Sequence, residues 1–140
     1  MRFAARSKRI HDPDIDCYFG PSPAAFALRD GDKGGISVTW VEFFGSFNKQ
    51  SRALAATAFR DTLRDKKLPP NAIFAWARIS DIKRAGNQYR KGVRVVHDPV
   101  EGNQGHAEIR HFTPEDLDIL DYLSSSVFIE YCEVKNMELN

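Results

Sequence analysis

ISVTWVEFF, residues 36–44, is the strongest strand signature in the chain and sets the expected fold. β-Branched and aromatic residues dominate it, the types that fit a pleated, half-buried surface. In an extended strand Ile36, Val38, Trp40 and Phe44 share one face, interrupted by Glu42. Ser37, Thr39, Val41 and Phe43 share the other. Upstream, AAFALR at 24–29 is a shorter strand candidate. DGDKGG lies between the two, and its Asp-Gly and Gly-Gly pairs favour tight hairpin turns. Residues 24–44 are therefore expected to form a β-hairpin.

Downstream the hydrophobic period changes. Leu54, Ala58, Phe59, Thr62 and Leu63 recur at helical spacing, while Arg52, Arg60, Arg64 and Lys67 stay polar. Ser46 or Asn48 can cap this helix, and LPPN stops it, because a residue before proline resists helical geometry. AIFAWARI alternates again, with Ile73, Ala75, Ala77 and Ile79 opposed to Phe74, Trp76 and Arg78, and reads as a strand. SDIKRAG reads as a short helical turn capped by Ser80 and ended by Gly86. Two strands at 91–97 and 106–111 flank DPVEGNQG. A second main helix is expected from Thr113 as cap, with Pro114 first and Asp116 completing a capping box. Its apolar stripe is Leu117, Leu120, Ser124 and Val127; residues 127–134 fit either a continuation of the helix or a last strand. The basic first ten residues fit either a mobile arm or a first strand.

The expectation is one α+β domain over residues 1–140: a mostly antiparallel sheet of about five strands, with two main helices packed on one face. A chain of 140 residues can bury a core without disulfide or metal. The net charge of +1 argues against a strongly basic nucleic-acid binder. Cys17 and Cys132 are far apart and form no CxxC motif, so a zinc ribbon or thioredoxin-type site is not indicated. No secretory signal or run of roughly 20 apolar residues occurs, which makes a cytoplasmic setting without a membrane the expectation. His11, Asp12, Asp14 and Asp16 cluster in HDPDID, but the ordered ligand set and the placed glycine of a calcium loop are missing, so a turn is expected there.

The chemistry-bearing stretch is RVVHDPVEGNQGHAEIR, residues 94–110. An imidazole exchanges protons near neutral pH, so His97 and His106 could act as an acid–base pair on an ester or phosphodiester. Asp98 could then orient His97, and Asn103 with the loop N–H groups could hold an oxyanion. Against this stands a polar turn, in which Asp98-Pro99 starts the loop and the histidines merely end strands. Parity also weighs against the pair: if Val93, Val95, Ala107 and Ile109 all face the core, the two rings point to opposite sides. The spacing matches no zinc signature, and no metal or cofactor is implied. Ser124–Ser126 lacks the Gly-x-Ser-x-Gly elbow, and no phosphate-binding or dinucleotide glycine motif occurs.

Two further groups are candidates for binding. Trp40 and Glu42 sit together on the first strong strand. Lys83, Arg84, Arg90 and Lys91, in a basic segment over residues 83–94, interleave with Trp76 and Tyr89 nearby, a pattern that can stack on bases.

LRDGDKGGISVTWVEFF and RVVHDPVEGNQGHAEI together resemble a group of small, uncharacterised bacterial proteins. That group has a Ser-Val-Asn-Trp-Leu-Glu-like strand and a later His-Asp-Pro…His-Ala-x-Ile-like segment. The matching positions are Ser37, Val38, Trp40 and Glu42, then His97, Asp98, Pro99, His106, Ala107 and Ile109. Thr39 and Val41 depart from the Asn and Leu of the group's pattern. The resemblance covers about half the chain and brings no activity with it; it implies that the two segments share one surface. A well-patterned domain without a complete catalytic constellation is expected to act by binding, with a protein as partner. A hydrolase or phosphodiesterase using His97 and His106 is the alternative, followed by nucleic-acid binding through the 83–94 segment.

Overall fold

The computed structural model describes residues 1–29 and 34–139. Its strands are β1 (Arg2–Ala4), β2 (Arg9–Asp12), β3 (Cys17–Pro21), β4 (Gly35–Thr39), β5 (Ile73–Trp76), β6 (Arg94–His97), β7 (His106–Arg110) and β8 (Glu130–Glu133). Its helices are α1 (Lys49–Asp61), α2 (Ile79–Gln88) and α3 (Leu117–Tyr122). The α+β class holds, but the expected single five-stranded sheet under two helices does not. The described strands form three antiparallel sheets, β1-β5-β8, β2-β3 and β4-β7-β6, with three helices.

The hairpin expected over 24–44 is also corrected. Pro23–Ala25 forms a 3-10 turn, and β4 pairs instead with β7, Ile36 opposite Ile109 and Val38 opposite Ala107. Most of the DGDKGG turn falls outside the described residues. The strand is shorter than its composition suggests: it ends at Thr39, and Val41–Phe44 turns into a 3-10 helix. The Trp40 N–H donates to the Gly105 carbonyl at 2.7 Å, which binds this change of direction to the loop before β7.

β5 separates two cores. Ile73 and Ala75 enter one with Phe26, Ile36, Ile109, Leu123 and Phe128. Phe74 and Trp76 enter the other with Val41, Ala55, Ala56 and Val134. The alternation read from AIFAWARI is thus realised with both faces buried, as suits the middle strand between β1 and β8. The first residues lie inside this frame rather than hanging free. Arg2–Ala4 pair with β5, and Met1 exchanges two hydrogen bonds with Thr39, amine to carbonyl at 2.7 Å and N–H to carbonyl at 2.8 Å. These bonds join the end of β1 to the end of β4.

The helices correct finer expectations. Asn48 caps α1 in a reciprocal capping box with Ser51. The face α1 buries is Ser51, Ala55 and Ala56, not Leu54 and Ala58, because small side chains let the helix lie close. The N-cap of α2 is Arg78 rather than Ser80, and the helix runs through Gly86, which is no terminus. A Cβ on Gly86 would stand 2.7 Å from that of Val93, so the helix needs glycine to touch the segment leading to β6. The N-cap of α3 is Asp116, not Thr113, although Asp116 does accept from the Thr113 N–H at 2.6 Å. Leu117 is 67 % exposed and drops out of the apolar stripe; Ile119 and Leu123 take its place. A π-helical turn, Leu123–Val127, then releases the chain into β8, so residues 127–134 split between the two expectations.

Candidate functional site

The two segments singled out in the sequence meet residue by residue, because β4 and β7 are neighbours in one sheet. Asn103 fastens the intervening loop. It is 1 % exposed, its Nδ2 donates to Thr39 Oγ1 at 2.9 Å, and its Oδ1 accepts the Gly105 N–H at 3.1 Å. With its side-chain amide committed on both sides, Asn103 holds the loop rather than an oxyanion. Gly105 is tight against Phe44: a Cβ there would come within 2.5 Å of the ring.

The register settles the geometry of the histidines. His97 lies opposite Ala107, on the face that carries Val38, Val95 and Ile109. His106 is next to Ala107 in the strand and so projects from the other face. The rings do not converge on one cleft, which corrects the alternative in which His97 and His106 act as an acid–base pair. His97 Nε2 bonds the Gln104 carbonyl at 2.8 Å, and its ring packs on Trp40 and Phe43 with centroids 5.9 and 5.5 Å away. The Asp98 carboxylate does not orient His97; it is exposed, 3.9 Å from Arg110.

His106 has a partner that the sequence did not suggest. Its Nδ1 lies 2.6 Å from the Asp98 carbonyl, and its Nε2 lies 2.8 Å from Ser37 Oγ. A carbonyl only accepts, so the neutral ring carries its proton on Nδ1 and presents the Nε2 lone pair to the Ser37 hydroxyl. Pairing of ISVT with HAEIR was the missing signal: Ser37 then falls opposite Glu108 and diagonal to His106.

On the other side of this sheet a groove of about 400 Å³ opens between the two three-stranded sheets. That is within the range of small-molecule and peptide pockets. Val38, Val95 and Ala107 form its sheet wall, Phe128 comes from the same core, and Trp76 comes from the other. Trp40, Phe47, Ile79 and Ile129 line it while remaining 39–62 % exposed. The carboxylates of Glu42, Asp81 and Glu130 and the guanidinium of Arg78 complete the lining. Glu130 accepts the Trp76 indole N–H at 2.8 Å. Arg52 lies over the Trp76 ring at 4.6 Å and over Phe47 at 5.5 Å. Met1 lines the same groove, while its α-amino group is buried against the Thr39 carbonyl; burial pushes its pKa down to about 5, against the opposing pull of the Glu42 carboxylate. Trp40 and Glu42 are therefore brought together here with Phe47, Trp76 and Glu130; sequence reading did not join them to Trp76 and Glu130, which come from distant segments.

The basic segment is not gathered into one surface. Arg84 pairs with Asp81 at 3.2 Å, and Lys91 pairs with Asp116 at 2.7 Å. Burial alone would raise the Asp116 carboxyl, but its bonds to Lys91 and Thr113 hold it below the ordinary carboxylate value. Lys83 and Arg90 are exposed. Among the described residues no three His, Cys, Asp or Glu side chains are grouped to hold a metal, and no helix is long and apolar enough to cross a membrane. No family model, curated protein or solved structure matches this chain.

Proposed function

We propose that this chain acts by binding a protein partner, and that its groove takes an extended segment bearing Lys or Arg side chains. The observation that carries the reading is the composition of the groove. Four large apolar side chains stay 39–62 % exposed around one cavity, with the guanidinium of Arg78 and three carboxylates, of which Asp81 is paired with Arg84 and Glu42 and Glu130 have no ion pair among the described residues. Exposed apolar groups scattered singly are ordinary, but a cluster rimmed by charge marks a contact surface. Aromatic faces beside carboxylates attract cations by both quadrupole and charge. Arg52 already lies on the Trp76 and Phe47 rings in this way within the chain itself. Beyond Met1 and its sheet wall, the lining comes from residues 40–47, 76–82 and 126–130, a footprint suited to several side chains of a peptide rather than to one small cation.

The chain supplies its own probe. Trp40 and Trp76 are its only tryptophans, and both line the groove. Titration with a Lys/Arg-rich peptide should give a saturable change in tryptophan emission that weakens with salt. The E42Q/E130Q double variant should bind about tenfold more weakly, since two partly exposed ion pairs together contribute roughly 1.4 kcal/mol. Equal binding of an acidic peptide, or no change with either, refutes the reading.

A further inference from the structure

The opposite face of the β4-β7-β6 sheet carries a different chemistry. Ser37, His106, Glu108 and Arg110 all project from it, half-buried, and Arg94 joins them from β6. We propose that Ser37 is a nucleophile and His106 its general base, acting on an ester that carries an anionic group. The proposal is independent of the groove, which lies across the sheet.

Two observations support it. The first is the dyad. The Asp98 carbonyl fixes the ring and its tautomer through Nδ1, so that Nε2 faces the Ser37 hydroxyl at 2.8 Å. A serine activated by a base that a third group orients is the general plan of covalent acyl transfer. The second concerns charge. Arg94 and Arg110 stand directly opposite each other across the ladder. Like charges in that position repel and destabilise a sheet. Glu108 binds Arg110 at 2.9 Å and the Asp98 carboxylate stands 3.9 Å from it, while Arg94 has no ion pair among the described residues. Arg94 is thus the cation left to take an anion. Ser37, opposite Glu108, is diagonal to His106 on one side and to Arg110 on the other, a separation of about 7 Å. A substrate whose carboxylate rests on Arg94, beside Arg110, thus reaches Ser37 with its ester group.

In the reaction Ser37 Oγ attacks the ester carbonyl carbon while its proton passes to His106 Nε2. The carbon–alkoxy bond breaks, and the alcohol departs with that proton, leaving an acyl-Ser37 ester. Water, deprotonated by the same nitrogen, then attacks the acyl carbon, releases the carboxylic acid and restores the serine.

A fluorophosphonate probe tests the nucleophile, because an activated serine displaces its fluoride and keeps the phosphonyl group. The folded full chain should be labelled at Ser37, as located by peptide mass spectrometry. S37A should abolish the label, and H106Q should slow it at least 100-fold, with circular dichroism showing both variants folded. The anion subsite is read from two nitrophenyl esters, the acetate and the hydrogen succinate. The chain should prefer the succinate ester, and R94Q should lower that preference about tenfold. An absent label, a label that survives S37A, or an H106Q rate equal to the parent's overturns the nucleophile. No preference for the succinate ester overturns the anion subsite.

Discussion

Replacing Asn103 by alanine tests whether the loop between β6 and β7 is held as described. The Asn103 side chain makes two hydrogen bonds in a place that is 1 % exposed, to Thr39 Oγ1 and from the Gly105 N–H. Each such bond contributes about 1 kcal/mol net, and a buried N–H left without an acceptor adds about 1–2 kcal/mol more. The expected loss is about 3 kcal/mol, a fall in Tm of about 10 °C for a domain of this size. Urea unfolding followed by circular dichroism measures it, with Gln104→Ala, at an exposed neighbour, as a control that should change stability by less than ~0.5 kcal/mol. A loss below 1 kcal/mol for Asn103→Ala would refute the assignment of Asn103 as the fastening of the loop. The variant should also loosen Gly105 from Phe44 and so disturb the emission of Trp40, whose N–H is held by Gly105.

Gly86→Ala sets helix propensity against packing. Alanine gains about 1 kcal/mol as a helix former, but its methyl would stand 2.7 Å from the Val93 Cβ and 3.0 Å from the Lys91 carbonyl. Overpacking of this kind costs about 1–3 kcal/mol, so net destabilisation is expected, and a higher Tm would show that the 91–93 segment moves away freely. Glu133→Gln should cost about 2 kcal/mol in urea unfolding, because Arg9, whose side chain is 2 % exposed, loses its carboxylate at 2.8 Å but keeps its carbonyl acceptors. The bonds from Lys135 and Arg9 hold the Glu133 carboxyl below its usual value. Its contribution is therefore complete above the ordinary glutamate pKa of about 4.3 and is lost as pH falls through the lower folded value. Parent and variant should converge in stability below that range; a constant gap would refute the ion-pair account. Trp40→Ala should weaken the basic peptide at the groove without lowering Tm by more than a few degrees, since the ring is 39 % exposed.

What was legible in the sequence was local. Asn48 was one of two caps the sequence offered for α1, and β5, β6 and β7 carry patterns that their own pleat enforces. What was not legible was partnership. ISVT displays a surface ready for pairing, but nothing within it distinguishes residues 24–29 from His106–Arg110 as its neighbour. The turn residues after Arg29 pointed to the nearer choice, and the longer connection prevailed because Ile36 and Val38 meet Ile109 and Ala107 over a common core. Large residues likewise misled the reading of α1, where the close approach selects Ala55 and Ala56. At the site, parity foretold that His97 and His106 diverge. Ser37 and the groove residues stayed hidden because each depends on which strands adjoin.

The sheet β1-β5-β8 has a consequence for the timing of folding. Its middle strand takes one neighbour from about 70 residues before it and another from about 55 residues after it. Pairings of such long sequence separation form late, after a large loss of chain freedom. While β8 is still inside the ribosome, the Ile73–Trp76 backbone has an open edge beside apolar side chains, a state prone to wrong pairing between nascent chains. Cells making this protein are thus expected to shield the β5 edge until β8 emerges.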